Sequence, residues 1–117
     1  MGIVAKLKRQ EASCKRILKE LRAHEHEVIS EDAKLSSMKG EGANLGALKH
    51  QEDLLAEWRF MVKCSYDRLI SALDYLSTTL AEANEQLDLE DNPLVVASAR
   101  NTADVVFAIV SWLRRDL

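Results

Sequence analysis

Residues 3–39 contain neither Pro nor Gly, and within them Leu7, Cys14, Leu21, Val28 and Leu35 recur every seven residues. A second row follows at an offset of three: Ile3, Gln10, Ile17, His24, Glu31 and Met38, interrupted by its polar members. Apolar residues at this spacing form one stripe along an α-helix, and the stripe persists for more than four heptads. At 1.5 Å per residue this helix is roughly 55 Å long. A helix of that length needs long partners to cover its seam, which restricts the fold more than any other feature of the chain.

The partners are visible. Lys39–Gly46 holds three Gly and an Asn in eight residues and reads as a turn, with Gly40 suited to the left-handed position past the first helix. From about Ala47 to Leu87 the seven-residue row returns as Leu48, Leu55, Val62, Leu69, Leu76 and Ala83. It is flanked by Trp58, Ser65 and Ala72 on one side and by Tyr66, Leu73, Leu80 and Leu87 on the other, a surface broad enough for two neighbours. After Asp88–Pro93, Asn92 is placed to cap a third helix with Pro93 as its first residue. That segment is rich in Val. Its period is helical, however, and about twenty residues is long for a strand. Val95, Ala99, Thr102, Val106, Ile109 and Leu113 form its inward row, with Val105 and Trp112 beside them. The expected fold is a single all-α domain over residues 1–117. It is an elongated, coiled-coil-like, antiparallel up-down-up three-helix bundle with helices at about 3–39, 47–87 and 93–115. Such a rod offers no obvious deep pocket.

Composition agrees. The 117 residues are 47% apolar but only 5% aromatic, with one Pro and a net charge of −3. Disordered, collagen-like and disulfide-stapled classes are disfavoured, as is an all-β sandwich. The N-terminus lacks an apolar signal core, and Lys6 stands where a myristoylation signal prefers Ser or Thr. Arg100, Asn101 and Asp104 interrupt the most apolar stretch, which argues against a membrane span. The expectation is a soluble, cytoplasmic protein with no cofactor and no membrane or nucleic-acid partner.

Charge is uneven. Residues 1–22 carry seven basic and two acidic side chains, whereas residues 58–91 carry three and seven. In an antiparallel hairpin the basic start of helix 1 lies beside Glu82, Glu85, Asp88, Glu90 and Asp91, which can set helix orientation. The functional alternative is that Lys15, Arg16, Lys19 and Arg22 meet an acidic protein partner. Interleaved aromatics for stacking nucleic acid are lacking.

No catalytic or metal constellation stands out. His24 and His26 point about 200° apart on a helix and cannot share a metal. Cys14 and Cys64 fall on different faces, with an offset of roughly 12 Å in an antiparallel register, so both are expected as free thiols. The glycines near residue 43 lack the Lys-Ser/Thr of a phosphate loop. Trp58 and Trp112 read as core or rim anchors. Helix 3 is less ordinary, because Val96, Ala103 and Val110 recur off its inward row with Phe107 between them. This strip is either covered by a wide helix 2 or is a surface for a partner or for a second copy of the chain.

Lys49-His50-Gln51-Glu52-Asp53-Leu54-Leu55-Ala56-Glu57-Trp58-Arg59-Phe60-Met61-Val62 resembles the central helix of the tubulin-binding cofactor A (tubulin-specific chaperone A) family. Lys49, Gln51, Leu54, Leu55, Glu57, Met61 and Val62 match the family pattern, and Arg68-Leu69 supplies its Arg-Leu pair. Lys15-Arg16-Ile17-Leu18-Lys19-Glu20 looks like a second family segment, in the correct order. Trp58 replaces a small polar residue, and Lys63 replaces a proline. The resemblance implies a cytosolic, cytoskeleton-associated chaperone without enzymatic activity. Such a protein captures β-tubulin released from the chaperonin and holds it until the α/β heterodimer assembles, using helical surfaces. On this chain the expected contact residues are Lys15, Arg16, Lys19, Gln51, Glu57 and Arg59, at least partly exposed, with Val96, Phe107 and Val110 as the apolar strip. Two alternatives remain at this point. One is a spectrin-like tethering module, although the chain has no internal repeat. The other is a helical mutase of the chorismate type, which would need buried cations where the seams place Leu, Cys and Val.

Overall fold

A computed structural model describes residues 2–86 and 92–114. Three helices account for nearly all of them: α1 (Ile3–Gly40), α2 (Leu45–Gln86) and α3 (Pro93–Arg114). The fold is an all-α three-helix bundle. Helix α2 runs unbroken through Lys63, where no proline removes an amide donor.

Local chemistry sets the boundaries. Gly42, not Gly40, takes the left-handed conformation, with φ of 74°. The amide of Ala43 donates to Met38 and that of Gly42 to Lys39, the paired bonds that close a helix end, so α1 extends through Gly40. Asn44 Oδ1 accepts from the Ala47 amide at 2.8 Å, and this cap starts α2 at Leu45, two residues earlier than its apolar pattern suggests. Pro93 opens α3 as expected, with the Asn92 carbonyl accepting from Val96.

The chain packs as two compact units. Unit 1 joins Met1–Leu18 to Tyr66–Leu117, so it holds the start of α1, the end of α2 and all of α3. Its core contains Leu7, Cys14, Ile17, Leu69, Leu73, Leu76, Leu80 and Val106. Lys6 pairs with Glu82 at 3.9 Å, which places the start of α1 beside the end of α2. Both groups are about two-fifths exposed, so the pair orients the helices more than it stabilises them. Of the other acidic residues expected there, Asp88, Glu90 and Asp91 lie outside the described residues. Unit 2, Lys19–Ser65, is a helical hairpin built from the rest of α1, the turn and the first half of α2. Leu21, Leu35 and Leu55 are buried in it.

Helix α3 is long and apolar enough to cross a membrane by length and composition alone. One of its faces is instead packed into unit 1, and it keeps Ala99, Thr102 and Val106 of the expected row while Val95, Ile109 and Leu113 are only half-buried. Val96, Ala99, Thr102, Ala103, Val106 and Val110 are buried. At 100° per residue this stripe is rotated by roughly 50° from the row through Val95, Ile109 and Leu113. The polar contacts explain the rotation. Ser98 and Thr102 reach α1 at Glu11, while Arg100 reaches α2 at Asn84. The row between those two edges must face inward. Val96 and Val110 are therefore core residues, not an outward strip; Phe107, at the edge, is 63% exposed. Trp112 is 64% exposed and so lies outside the core, in line with exposed Leu94 and Val105 on the opposite side of the helix.

Candidate functional site

The chemistry lies on the faces of unit 2, at a buried carboxylate in unit 1 and along a groove in unit 1, and the first two are supported by polar bonds between helices. In unit 2, Gln51 donates through Nε2 to the Glu31 carbonyl at 3.1 Å and also to the Glu31 carboxylate. Gln51 is therefore 3% exposed, which overturns the expectation of a surface contact residue. Its amide has a buried acceptor to satisfy and leaves the surface to its neighbours. His24 Nδ1 lies 2.8 Å from Ser65 Oγ, and its ring meets half-buried Trp58 with centroids 5.8 Å apart. Two polar interruptions of the second heptad row, His24 and Glu31, thus find polar or aromatic partners on α2, which fixes register without a continuous apolar seam.

The outer face of unit 2 is apolar in places where no helix covers it. Ile29 on α1 is 69% exposed and Phe60 on α2 is 66% exposed. Asp53, Ala56, Glu57, Phe60 and Met61 line a shallow depression on α2. Glu57 and Arg59 are exposed as expected, with Arg59 3.8 Å from Asp32.

In unit 1 the ionisable centre is Glu11, which sequence reasoning missed. It lies between Leu7 and Cys14 on the inward stripe, and only its charge disguised that position. Ser98 donates to its Oε1 at 2.7 Å and Thr102 at 2.9 Å, while Lys15 Nζ lies 3.1 Å away. Burial pushes the Glu11 carboxyl up, but these hydrogen bonds and the Lys15 charge outweigh it and hold the group below its ordinary value. Burial, and secondarily the Glu11 charge, push the Cys14 thiol up, which leaves it a poor nucleophile. Cys14 is buried, Cys64 is exposed, and both are free. Lys15, Arg16 and Lys19 are exposed, though Lys15 is engaged by Glu11.

The third surface is an open groove of about 500 Å³ in unit 1 between α1 and α2. Arg9, Gln10, Ser13, Arg16 and Ile17 line one side, and Asp67, Arg68, Ser71, Ala72 and Tyr75 line the other. Among the described residues, no group of three or more His, Cys, Asp or Glu is arranged to hold a metal ion.

A three-helix bundle whose distinctive features are surfaces belongs to the class of helical interaction proteins. Residues 3–100 match the family model for tubulin binding cofactor A, and the chain belongs to that family. It is 42% identical over 105 residues to tubulin-folding cofactor A of Arabidopsis thaliana, covering 90% of this chain and 92% of the relative. The crystal structure of tubulin folding cofactor A from Arabidopsis thaliana superposes with a TM-score of 0.83 at 39% identity. That match covers 91% of this chain and 96% of the other. Human tubulin chaperone cofactor A gives a TM-score of 0.73 at 27% identity, over 90% and 98% of the two chains.

Proposed function

We propose that the protein is a cytoplasmic, cytoskeleton-associated tubulin-folding cofactor. It captures β-tubulin released from the chaperonin and holds it until the α/β heterodimer assembles. In a chain of this family, the observation that supports this reading is the uncovered apolar surface of unit 2 at Phe60 and Met61, which line one depression with Glu57. Large apolar side chains side by side on a helix and bordered by charged residues are what a partner surface requires. Lys15, Arg16 and Lys19 add basic contacts, and Phe107 adds an apolar one on α3. Gln51 acts from beneath, by holding Glu31 and the hairpin register.

The test is capture of β-tubulin from a folding extract by wild type, Phe60→Glu and a Glu57→Ala/Arg59→Ala double variant. Because these residues are exposed, circular dichroism should stay native. Retention should fall at least about tenfold for Phe60→Glu, the equivalent of about 1.4 kcal/mol. Wild-type retention by both folded variants would remove this face, and no capture by wild type would remove the reading.

A further inference from the structure

The groove in unit 1 shares only Arg16 with the contacts described so far, and its α1 side is basic. Two guanidinium groups, from Arg9 and Arg16, stand along that side with no carboxylate among its lining residues, and Asp67 and Arg68 lie on the α2 side. Its floor is partly apolar, with Ile17 and Ala72 buried, and exposed Tyr75 forms part of its wall. Ser13 and Ser71 supply hydroxyls along its length. Gln10 also lines it, and its Oε1 has no hydrogen-bond partner. We propose that this groove binds an extended acidic peptide segment of a partner protein.

Spacing supports the assignment. Arg9 and Arg16 are seven residues apart, so they share a face of α1 and are separated by roughly 10.5 Å along it. An extended polyproline-type chain places residues i and i+3 on one side at roughly 9 Å. Acidic runs repel themselves and favour such extended forms. Two carboxylates three residues apart therefore reach Arg9 and Arg16 together, each able to form a forked pair with a guanidinium. An apolar side chain between them meets Ile17 and Ala72. Because α1 and α2 run antiparallel, Arg16 and Arg68 lie toward one end and Arg9 and Tyr75 toward the other. Nucleic acid fits less well, because Tyr75 is the one aromatic among the lining residues and stacking platforms use several.

The proposal rests on the reading of the protein as a binding module, but its test contains no tubulin, so the two can fail separately. A fluorescein-labelled peptide of about ten residues, with Glu at i and i+3 and Leu between, is titrated against the full chain and followed by anisotropy. Saturable binding is expected. Replacing Glu by Gln in the peptide should weaken it at least roughly tenfold, as should the double variant Arg9→Gln/Arg16→Gln with native circular dichroism. Affinity should also fall as salt shortens the screening length. Lys8→Gln/Lys34→Gln, which removes two exposed charges that do not line the groove, should leave binding within about twofold. Any of four results would overturn the proposal: no binding by wild type, equal binding of the Gln peptide, an unchanged Arg9/Arg16 variant, or an equal loss in the Lys8/Lys34 variant. Equal or tighter binding of a single-stranded oligonucleotide of the same length would overturn it as well.

Discussion

Units 1 and 2 use the same two helices but differ in what covers them. Unit 1 has α3, and its buried residues form a continuous set from Leu7 to Ile17 on α1, from Tyr66 to Ala83 on α2 and from Val96 to Val110 on α3. Unit 2 has two helical arms, so each arm can bury one stripe and must leave the rest open. Ile29, Phe60 and Met61 are the consequence. A heptad seam that looks uniform in sequence therefore has two roles. Where a third helix closes it, α1 and α2 bury a second face as well; where none does, apolar side chains off the seam stay open to a partner, as Leu94, Phe107 and Trp112 do on α3.

The largest test of this contrast compares equivalent truncations. Leu69 is fully buried in unit 1 and Leu55 nearly so in unit 2. Leu→Ala at buried sites costs about 2–5 kcal/mol, and the cost rises when the surroundings cannot collapse onto the cavity. Leu69→Ala should fall at the upper end, because three helices hold the cavity open, and Leu55→Ala at the lower end. Denaturant melts with amide exchange resolve the two units. Equal losses would show that the units are equally constrained, and the contrast would be lost.

An intermediate effect concerns the polar link that orients α3. Glu11 is held ionised by Ser98, Thr102 and Lys15, so its folded-state carboxyl titrates below its unfolded value. The contribution is fully present above the unfolded value and is lost as pH falls through the lowered folded one. Stability of unit 1 should therefore decline on acidification from neutral pH. Glu11→Gln should cost about 1.5–3 kcal/mol at neutral pH, typical of a hydrogen bond to a charged group. It should also flatten the acid limb of the stability profile. A variant with the wild-type pH slope would assign the acid loss to other carboxylates.

Helix number, order and approximate span were legible because Leu, Ile and Val recur with a helical period and Gly and Pro punctuate the breaks. Core positions on α1 and α2, such as Leu21, Leu55 and Leu69, followed from the same rows. The misplaced features were those decided by polar partners distant in sequence. Gln51 looked exposed because Gln is polar, yet Glu31, twenty residues away, draws it inside. Glu11 was not singled out at all, because its partners Ser98 and Thr102 come from α3, 87 and 91 residues away. The groove was not legible at all, since it requires the spatial pairing of residues 9–17 with residues 67–75.

The smallest expected effect is also the clearest check on the orientation of α3. Val96, Phe107 and Val110 were grouped by their spacing as one outward strip, but Val96 and Val110 are core and Phe107 is surface. Phe107→Glu should therefore change stability by no more than about 0.5 kcal/mol, as surface substitutions do, with unchanged helicity. Val110→Glu places a carboxylate among apolar side chains without a partner and should unfold unit 1 or destabilise it severely. The pair differ by three residues on one helix, so helix propensity and chain position are nearly constant between them, and orientation is the remaining variable. If both variants unfolded, Phe107 would belong to the core and the face of α3 would be wider than the observed stripe. If both stayed native, α3 would not be packed through Val110. A native Phe107→Glu that also lost β-tubulin capture would place the client on α3 as well as on the hairpin of unit 2, and would narrow the difference between the units from function to stability alone.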